Sequence, residues 1–324
     1  MTCDTSMDDI GVHVREHKQV RRQHARTVAI EMAATLGLDD ERRQRIGTGI
    51  DRLATIAPVA RVLSVEDPAT GDVGLRLIAT GATTDQSVTL DDPSAPLGRV
   101  ATTLTATMAN GRPYYVADSW RDRPVSDGRC PYAIGATTRS VAADEPNGDT
   151  VLLSREGTTA TVCVIDGLGH GEGANRASRT ARDAIAADPT RSIETLFEAT
   201  ETACQRTRGV VMAIAQFDWV DEHVAFGSVG NIATHVAGGP SASFVARRGV
   251  VGTSAPTPLV ASGDWTPTDR LVAHSDGVTN RWDWPDVADT TGVDLARTLI
   301  RRFGDPEDDA SALAVTDRQS TTDE

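Results

Sequence analysis

The stretch 164–174, which reads VIDGLGHGEGA, constrains the fold of this chain more than any other part of the sequence. A β-branched and apolar run over 159–165 leads into it and predicts a buried strand, and alanines at helical spacing after it predict a helix. Its four glycines within seven residues let the backbone approach a ligand closely and adopt positive φ. A carboxylate at the end of a buried strand can hold a hard cation through oxygen, so Asp166 marks a candidate chemical site.

Two other interpretations of this stretch compete with a metal site. Gly169, Gly171 and Ala174 fit the loose dinucleotide-binding fingerprint, which expects a second strand ending in an acid roughly 20 residues further on. The helical pattern instead continues up to Asp188-Pro189, which leaves no room for that strand. The other interpretation is a glycine-rich connector whose aspartate caps the following helix. A metal carboxylate differs from both because it predicts further acids at the ends of other strands.

Further aspartates stand at the edges of three other short apolar runs. The motif Asn147-Gly148-Asp149 precedes the run 150–153, Ser275-Asp276-Gly277 follows the run 270–274, and Glu307-Asp308-Asp309-Ala310-Ser311 precedes the run 312–315. Aspartates in these positions are what a metal site built from strand ends predicts. The alternative for each of them is a carboxylate that only stabilises a turn or caps a helix.

The order of the motifs, Gly-Asp, Asp-Gly-x-Gly-x-Gly, Ser-Asp-Gly and Asp-Asp-x-Ser, resembles that of the metal-dependent Ser/Thr protein phosphatases of type 2C. Within that family it resembles the SpoIIE-type and RsbX-like bacterial branch, and the sequence VGNI at 229–232 is also similar to the family. The resemblance covers roughly residues 131 to 316. Two helices inserted in a run of antiparallel strands predict an α+β fold with helices outside two sheets. The family implies the same arrangement, an α-β-β-α sandwich.

The resemblance also implies which residues hold metal ions. Asp166 is expected to bridge two ions, with one more oxygen from the carbonyl of Gly167. Asp149 is expected to hold the first ion, and Asp276 and Asp308 the second. Asp309 is expected to contribute through water. All of these ligands are oxygen atoms, which suits two ions of Mn²⁺ or Mg²⁺.

Such a site suits the hydrolysis of phosphate monoesters, which is among the slowest uncatalysed reactions. Two ions can turn a bridging water into hydroxide near neutral pH and neutralise the phosphate oxygens. His170 is expected either to donate a proton to the leaving group or only to line the loop. Arg139 or Arg176 could bind the substrate phosphate through a bidentate fork. Trp282 and Trp284 either cover the cleft or pack in the core.

By family analogy, the predicted function is that of a phosphoprotein phosphatase. Its predicted substrate is phosphoserine or phosphothreonine on an anti-sigma-factor-antagonist-like partner in a partner-switching signalling pathway. One alternative is a catalytically silent regulatory binding module, against which the four aspartate motifs argue. The other alternative is an active serine kinase that works through the N-terminal segment.

Residues 1–120 are predicted to form a small two-layer α/β domain of their own. The apolar patterns predict helices over 16–36 and 39–57, strands over 61–65 and 74–80, and a helix over 97–108. This order resembles the GHKL-type ATP-binding fold of the RsbT-type kinases and anti-sigma factors.

The chemistry of that ATP-binding family is missing from this segment. Asp51 and Thr55 stand where the family has glutamate and asparagine, and 85–96 contains no glycine for a phosphate loop. We therefore expect a degenerate member with a regulatory or partner-binding role. The polar segment 118–131 predicts the boundary to a phosphatase domain over 131–317, which a disordered tail over 318–324 follows.

The composition restricts the classes of binding partner and the cellular compartment that we expect. A net charge of −14 argues against nucleic acid or an anionic membrane. Lys18 is the only lysine, which indicates either adaptation to high salt or a coding bias towards arginine. The four cysteines form no C-x-x-C pair, which favours a reducing cytoplasm. No apolar run reaches 18 residues, so we expect a soluble, cytoplasmic protein.

Overall fold

The computed structural model of the chain describes residues 6–53, 57–82, 86–90, 101–123, 130–142, 144–238, 244–253 and 255–318. The first part of the chain forms α1 (Ser6–Asp9), β1 (His13–Gln19), α2 (Ala25–Thr35), α3 (Asp40–Leu53), β2 (Val59–Glu66), β3 (Val73–Thr80), β4 (Ser87–Thr89), β5 (Thr103–Ala109) and β6 (Arg112–Trp120). The predicted strands at 61–65 and 74–80 are confirmed, since they lie within β2 and β3.

The second part of the chain carries the aspartate motifs. It forms β7 (Tyr132–Arg139), β8 (Asp149–Glu156), β9 (Thr159–Gly167), α4 (Gly171–Ala186), α5 (Ile193–Cys204), β10 (Val210–Asp218), β11 (His223–Val229), β12 (Ala233–Ala237), β13 (Ala261–Asp264), β14 (Arg270–His274), α6 (Gly292–Phe303) and β15 (Ala310–Asp317). No helix among the described residues is both long enough and apolar enough to cross a membrane.

The strands form two antiparallel sheets. Within the described residues, the large sheet has ten strands in the order β1-β2-β3-β6-β5-β8-β9-β10-β11-β13, and the small sheet has five in the order β12-β14-β15-β7-β4. The two sheets pack face to face, because Val162 and Val164 of β9 share one buried cluster with Leu271 and Leu313 of the small sheet.

Helices cover the outer faces of both sheets. Alternate residues of β9, such as Cys163 and Ile165, point away from the small sheet and pack with α4 and α5, through Ala181 and Leu196 among others. Helix α6 packs on the outer face of the small sheet through residues such as Leu299. The order of layers is therefore helix, sheet, sheet, helix, and the predicted α+β class is confirmed.

The large sheet continues across the predicted domain boundary at 118–131. Strand β5 pairs with β8 from Thr103 opposite Glu156 to Thr107 opposite Leu152. Helices α2 and α3 pack on the face of the large sheet that also carries the small sheet, because they join the same buried cluster. The segments 1–120 and 131–317 thus share one sheet and one core.

The predicted helix over 97–108 is wrong, since Thr103–Ala109 forms strand β5 and 97–100 lie outside the described residues. Threonine alternates with an apolar residue along this strand, a period of two that is typical of strands. Asn110 and Gly111 both have positive φ, 51° and 67°, as the tight turn of a hairpin requires. They join β5 to β6, a strand that the sequence analysis did not predict.

The predicted helix over 16–36 is also wrong in its first part. His13–Gln19 forms the edge strand β1, and helix α2 begins only at Ala25. Every side chain of β1 is exposed, so no apolar pattern marks it. The helix–helix–strand–strand–helix order behind the GHKL resemblance is therefore wrong at both ends. Thr55, most of 85–96 and residues 319–324 lie outside the described part of the chain.

A buried ion pair fastens the N-terminal part of the large sheet. Arg76 of β3 and Asp118 of β6 are cross-strand partners, and both are only 5% exposed. The guanidinium donates to both carboxylate oxygens, over 2.7 Å and 2.8 Å. It also donates to the carbonyls of Asp8 and Ile10, each at 3.0 Å, so the pair holds the α1 segment on the sheet.

Asp118→Ala is expected to lower the free energy of unfolding by ~3–5 kcal/mol, because it leaves a buried guanidinium without its carboxylate. The double variant Arg76→Met with Asp118→Leu is expected to lose less than Asp118→Ala, because no unpaired charge stays buried, even though the carbonyls of Asp8 and Ile10 lose their donor. Urea unfolding of the three proteins measures the difference. A double variant that is as unstable as Asp118→Ala would contradict this account of the pair.

Candidate functional site

Two of the predicted ligands lie opposite each other on neighbouring strands. Asp149 opens β8, Asp166 stands near the end of β9, and the antiparallel register pairs them directly. Gly167 follows Asp166, and its amide donates to the carbonyl of Gly148 over 3.2 Å. The first two aspartate motifs therefore meet at one end of two central strands of the large sheet.

The small sheet brings the other two aspartate motifs to the same place. Asp276 lies two residues after β14 and Asp308 two residues before β15, and these strands pair with each other. The amide of Ser275 donates to the carbonyl of Ser311 over 3.0 Å, which extends the pairing to the motifs themselves.

Two serines connect the aspartates of the two sheets. The hydroxyls of Ser275 and Ser311 both donate to Oδ2 of Asp149, over 2.6 Å and 2.8 Å, and all three residues are buried. The amide of Ser311 donates in turn to the hydroxyl of Ser275 over 3.0 Å. This network fixes the carboxylate of Asp149 in the gap between the sheets, because each donor comes from the small sheet.

The electrostatics show that the four aspartates act on one another. Burial, followed by the charges of Asp149, Asp276 and Asp308, raises the pKa of Asp166 to about 9. Burial raises the pKa of Asp149 to about 7, although the two serine hydroxyls favour its ionised form. Partial desolvation of its carboxylate and the charge of Asp276 likewise raise the pKa of Asp308, although the residue as a whole is exposed. Like charges this close cannot all ionise freely without a positive partner.

The donor atoms fit a hard divalent cation. Carboxylate and carbonyl oxygens are the ligands that Mg²⁺ and Mn²⁺ prefer, and four carboxylates within electrostatic range need positive charge. Among the described residues, no three acidic, histidine or cysteine side chains surround a common point closely enough to hold one ion as they stand. The structure thus brings the four aspartates together, and the coordination itself stays a prediction.

Asp309 has a different environment from Asp308. It is 4% exposed, and its two carboxylate oxygens accept the backbone amides of Val141 and Gly148, over 2.8 Å and 2.7 Å. Asp308 is exposed, and one of its oxygens accepts the amide of Asp309 over 2.8 Å. Asp309 therefore anchors the segment that leads into Asp149, and its predicted contact with metal through water stays a prediction.

Asn231 is a site residue to which the sequence analysis gave no role. Its Nδ2 donates to Oδ2 of Asp276 over 2.8 Å. It follows β11 within the segment 229–232 that resembled the phosphatase family, and that resemblance was the only signal for it. The contact orients the carboxylate of Asp276.

His170 lies at the rim of the site. Its side chain is 76% exposed, and Nδ1 is 3.4 Å from a carboxylate oxygen of Glu145. It precedes the first residue of α4 and makes no capping hydrogen bond there. Its catalytic role stays a prediction.

The arginines and tryptophans named from sequence have different surroundings. The guanidinium of Arg139 donates to the carbonyls of Ile300 and Asp305, whereas Arg176 is exposed on α4. Trp282 is buried and donates to Nε2 of His274 over 3.4 Å, and it also packs against Trp284. The contacts of Trp282 are those of core packing.

The fold is that of the type 2C phosphatases. A solved structure described as "The bacterial stressosome: a modular system that has been adapted to control secondary messenger signaling" is 25% identical, with a TM-score of 0.53 over 57% of this chain and 98% of that one. The structure of RsbX in complex with magnesium is 16% identical, with a TM-score of 0.54 over 59% of this chain and 98% of that one.

A third solved structure matches a longer part of the chain, with a lower TM-score. The PP2C phosphatase domain of SpoIIE from Bacillus subtilis, with a fragment of its regulatory domain, is 15% identical, with a TM-score of 0.47 over 90% of this chain and 95% of that one. No protein-family model matches the chain, and no curated protein matches it significantly.

Without metal, the stability of the protein is expected to fall as the pH rises. The pKa values of Asp149 and Asp166, about 7 and about 9, lie above the ordinary value of 3.8, so the folded state binds more protons than the unfolded chain. The stability that these two protonated groups contribute is fully present below about pH 4. It is lost as the pH rises through about 7 and about 9, and the free energy of unfolding falls by up to ~1.4 kcal/mol per pH unit for each proton.

Urea unfolding in EDTA, from about pH 5.5 to about pH 8.5, measures this loss. Asp166→Asn mimics the protonated group, so its free energy of unfolding should depend less on pH. Asp264→Asn, at an exposed position on β13, should keep the slope of the natural protein. Equal slopes in all three proteins would contradict the account of the site.

Proposed function

We propose that this protein is a Mn²⁺- or Mg²⁺-dependent phosphatase that acts on phosphoserine or phosphothreonine in a partner protein. The observation that carries the proposal is the convergence of Asp149, Asp166, Asp276 and Asp308 where the two sheets of a type 2C phosphatase fold meet. These motifs are far apart in the sequence, and turn stability alone gives them no reason to lie together.

The residues proposed to hold the two ions are the four aspartates and the carbonyl of Gly167. When bound, the ions would supply an activated water and neutralise charge on the phosphate. The solved structure of RsbX contains magnesium, and that protein shares the fold. Protein side chains then have the tasks of positioning and proton transfer.

Three hydrogen-bonding groups prepare the carboxylates for this task. Ser275 and Ser311 fix Asp149, and Asn231 fixes Asp276. Residues that orient a metal ligand in this way often matter for affinity or activity by ~10–100-fold. We assign His170 the task of donating a proton to the leaving oxygen, with Glu145, 3.4 Å from its Nδ1, to orient the ring.

The proposed substrate is a phosphorylated, anti-sigma-factor-antagonist-like domain in a partner-switching pathway. The first solved structure named above is described under the bacterial stressosome, a modular system adapted to control secondary messenger signalling, and this supports a role in signalling. We assign residues 1–120 a regulatory or partner-binding role. Asp51, which stands where GHKL-type ATPases have glutamate, lies 3.0 Å from the guanidinium of Arg26, and this favours a structural use of its carboxylate over ATP turnover.

Hydrolysis of p-nitrophenyl phosphate and of a phosphoserine peptide with Mn²⁺ tests the proposal. Asp166→Asn is expected to lower kcat/KM at least ~100-fold, more than the loss typical of a residue that only orients a ligand. Asp264→Asn is the matched control and should keep full activity. A natural protein that shows no Mn²⁺-dependent hydrolysis would instead favour the silent regulatory module, and an active Asp166→Asn variant would overturn the metal assignment.

Changing Asp308 to asparagine and changing Asp309 to asparagine are expected to have different effects on metal binding and on stability. Asp308→Asn should weaken Mn²⁺ binding without lowering the free energy of unfolding in EDTA, because its side chain is exposed and its charge is repelled by Asp276. Asp309→Asn should lower that free energy by ~1–3 kcal/mol, because one of two buried amides loses its acceptor. Calorimetric titration and urea unfolding measure both effects, and the reverse pattern would exchange the two assignments.

A further inference from the structure

Arg208 lies in the loop between α5 and β10, and its guanidinium has no partner among the described residues. Its side chain is exposed, and it makes no hydrogen bond or ion pair within the described part of the chain. Acidic residues outnumber lysine and arginine by 46 to 32 in this protein, and many of its arginines pair with carboxylates. The position of Arg208 therefore indicates what its guanidinium can bind.

The sheet register places Arg208 next to the proposed metal site. Val210 and Val211 of β10 pair with Gly167 and Asp166 of β9, and the amide of Leu168 donates to the carbonyl of Gly209 over 3.1 Å. Arg208 lies three residues before the cross-strand partner of Asp166, which is roughly 10 Å along an extended chain. An arginine side chain can cover much of that distance.

Gly169, in the loop after Asp166, and Gly173, in the first turn of α4, make room for this guanidinium. A Cβ atom on Gly173 would lie 2.6 Å from Nε and 2.7 Å from Cζ of Arg208, and one on Gly169 would lie 3.1 Å from Nη1. The guanidinium therefore lies across the glycine-rich stretch 169–173, here called the glycine loop. By contrast, a Cβ on Gly167 would collide with the carbonyl of Ala174, so that glycine serves the packing of α4.

The backbone around Arg208 is held in a fixed turn. Gly209 has a φ of +83°, and its amide donates to the hydroxyl of Thr207 over 3.0 Å. The amide of Thr207 donates to the carbonyl of Cys204 at the end of α5, over 2.8 Å. These contacts fix the backbone from which the side chain extends towards Gly169 and Gly173.

We propose that Arg208 binds the phosphoryl group of the substrate, as a bidentate donor to two phosphate oxygens. This inference rests on the proposed function and adds a recognition residue to it. A phosphate that approaches four carboxylates needs positive charge from the protein as well as from the ions, and a guanidinium fork matches the geometry of its oxygens. Arg139, which the sequence suggested for this role, already donates to two backbone carbonyls.

The test compares Arg208→Ala, Arg208→Lys and the control Arg206→Ala in the full-length, Mn²⁺-loaded protein. Arg206 is exposed in the same loop but does not border the glycine loop. Calorimetric titration with inorganic phosphate should show binding weakened ~10–100-fold in Arg208→Ala, as expected for loss of a charged hydrogen bond. KM for a phosphoserine peptide should rise by a similar factor. Arg208→Lys should recover part of the loss, and Arg206→Ala should behave like the natural protein.

Gly173→Ala provides a second test that keeps the charge of Arg208. The added methyl group must displace the guanidinium, while alanine suits the helical backbone of α4 at this position. Phosphate binding should weaken as in Arg208→Ala, with a midpoint of urea unfolding no lower than that of the natural protein. Combining Arg208→Ala with Gly173→Ala should weaken phosphate binding no further, because both changes remove the contact between the guanidinium and the phosphate.

The outcomes separate this inference from the proposed function. A natural protein that neither hydrolyses the peptide nor binds phosphate would overturn both. Hydrolysis by the natural protein with unchanged phosphate binding and KM in Arg208→Ala would overturn only the role of Arg208. Weaker phosphate binding in Arg208→Ala together with a lower unfolding midpoint, while Gly173→Ala binds normally, would assign Arg208 to structure and overturn the inference as well.

Discussion

Repulsion between aspartates in the gap between two sheets is the constraint on which the rest of the site depends. Asp149 and Asp166 face each other across one ladder, and Asp276 and Asp308 approach from the other sheet. The fold holds them there with donors rather than with cationic side chains, since Ser275 and Ser311 donate to Asp149. Such an arrangement favours a bound cation, because positive charge relieves the repulsion that the fold imposes.

The continuous large sheet changes how the N-terminal part of the chain relates to the site. Strand β5 is paired on one side with β6 and on the other with β8, the strand that Asp149 opens. The guanidinium of Arg182 on α4, fully buried, donates to the carbonyl of Met108 in β5 over 3.1 Å. A partner that binds the first 120 residues would therefore contact an extension of the sheet that carries the site.

The sequence predicted the features that depend on the local pattern of apolar residues and on aspartates at the ends of strands. Aspartates beside short apolar runs identified the four motifs, and the buried run 159–165 predicted β9 with its two covered faces. The hairpin of β5 and β6 was not predicted, because Leu104 and Met108 lie four residues apart, a spacing that also fits a helix. Contacts between residues distant in sequence, such as Ser311 with Asp149 across 162 positions or Arg208 with Gly173, leave no local pattern, so only the folded chain identifies them.

Anomalous X-ray diffraction from crystals grown with Mn²⁺ tests the central claim most directly, because it locates the metal without relying on turnover. The account predicts two manganese peaks in the gap between the sheets, one bound by Asp149 and Asp166 and the other by Asp166, Asp276 and Asp308. Ordered crystals with no peak in that gap, or with manganese bound only elsewhere on this acidic surface, would contradict it.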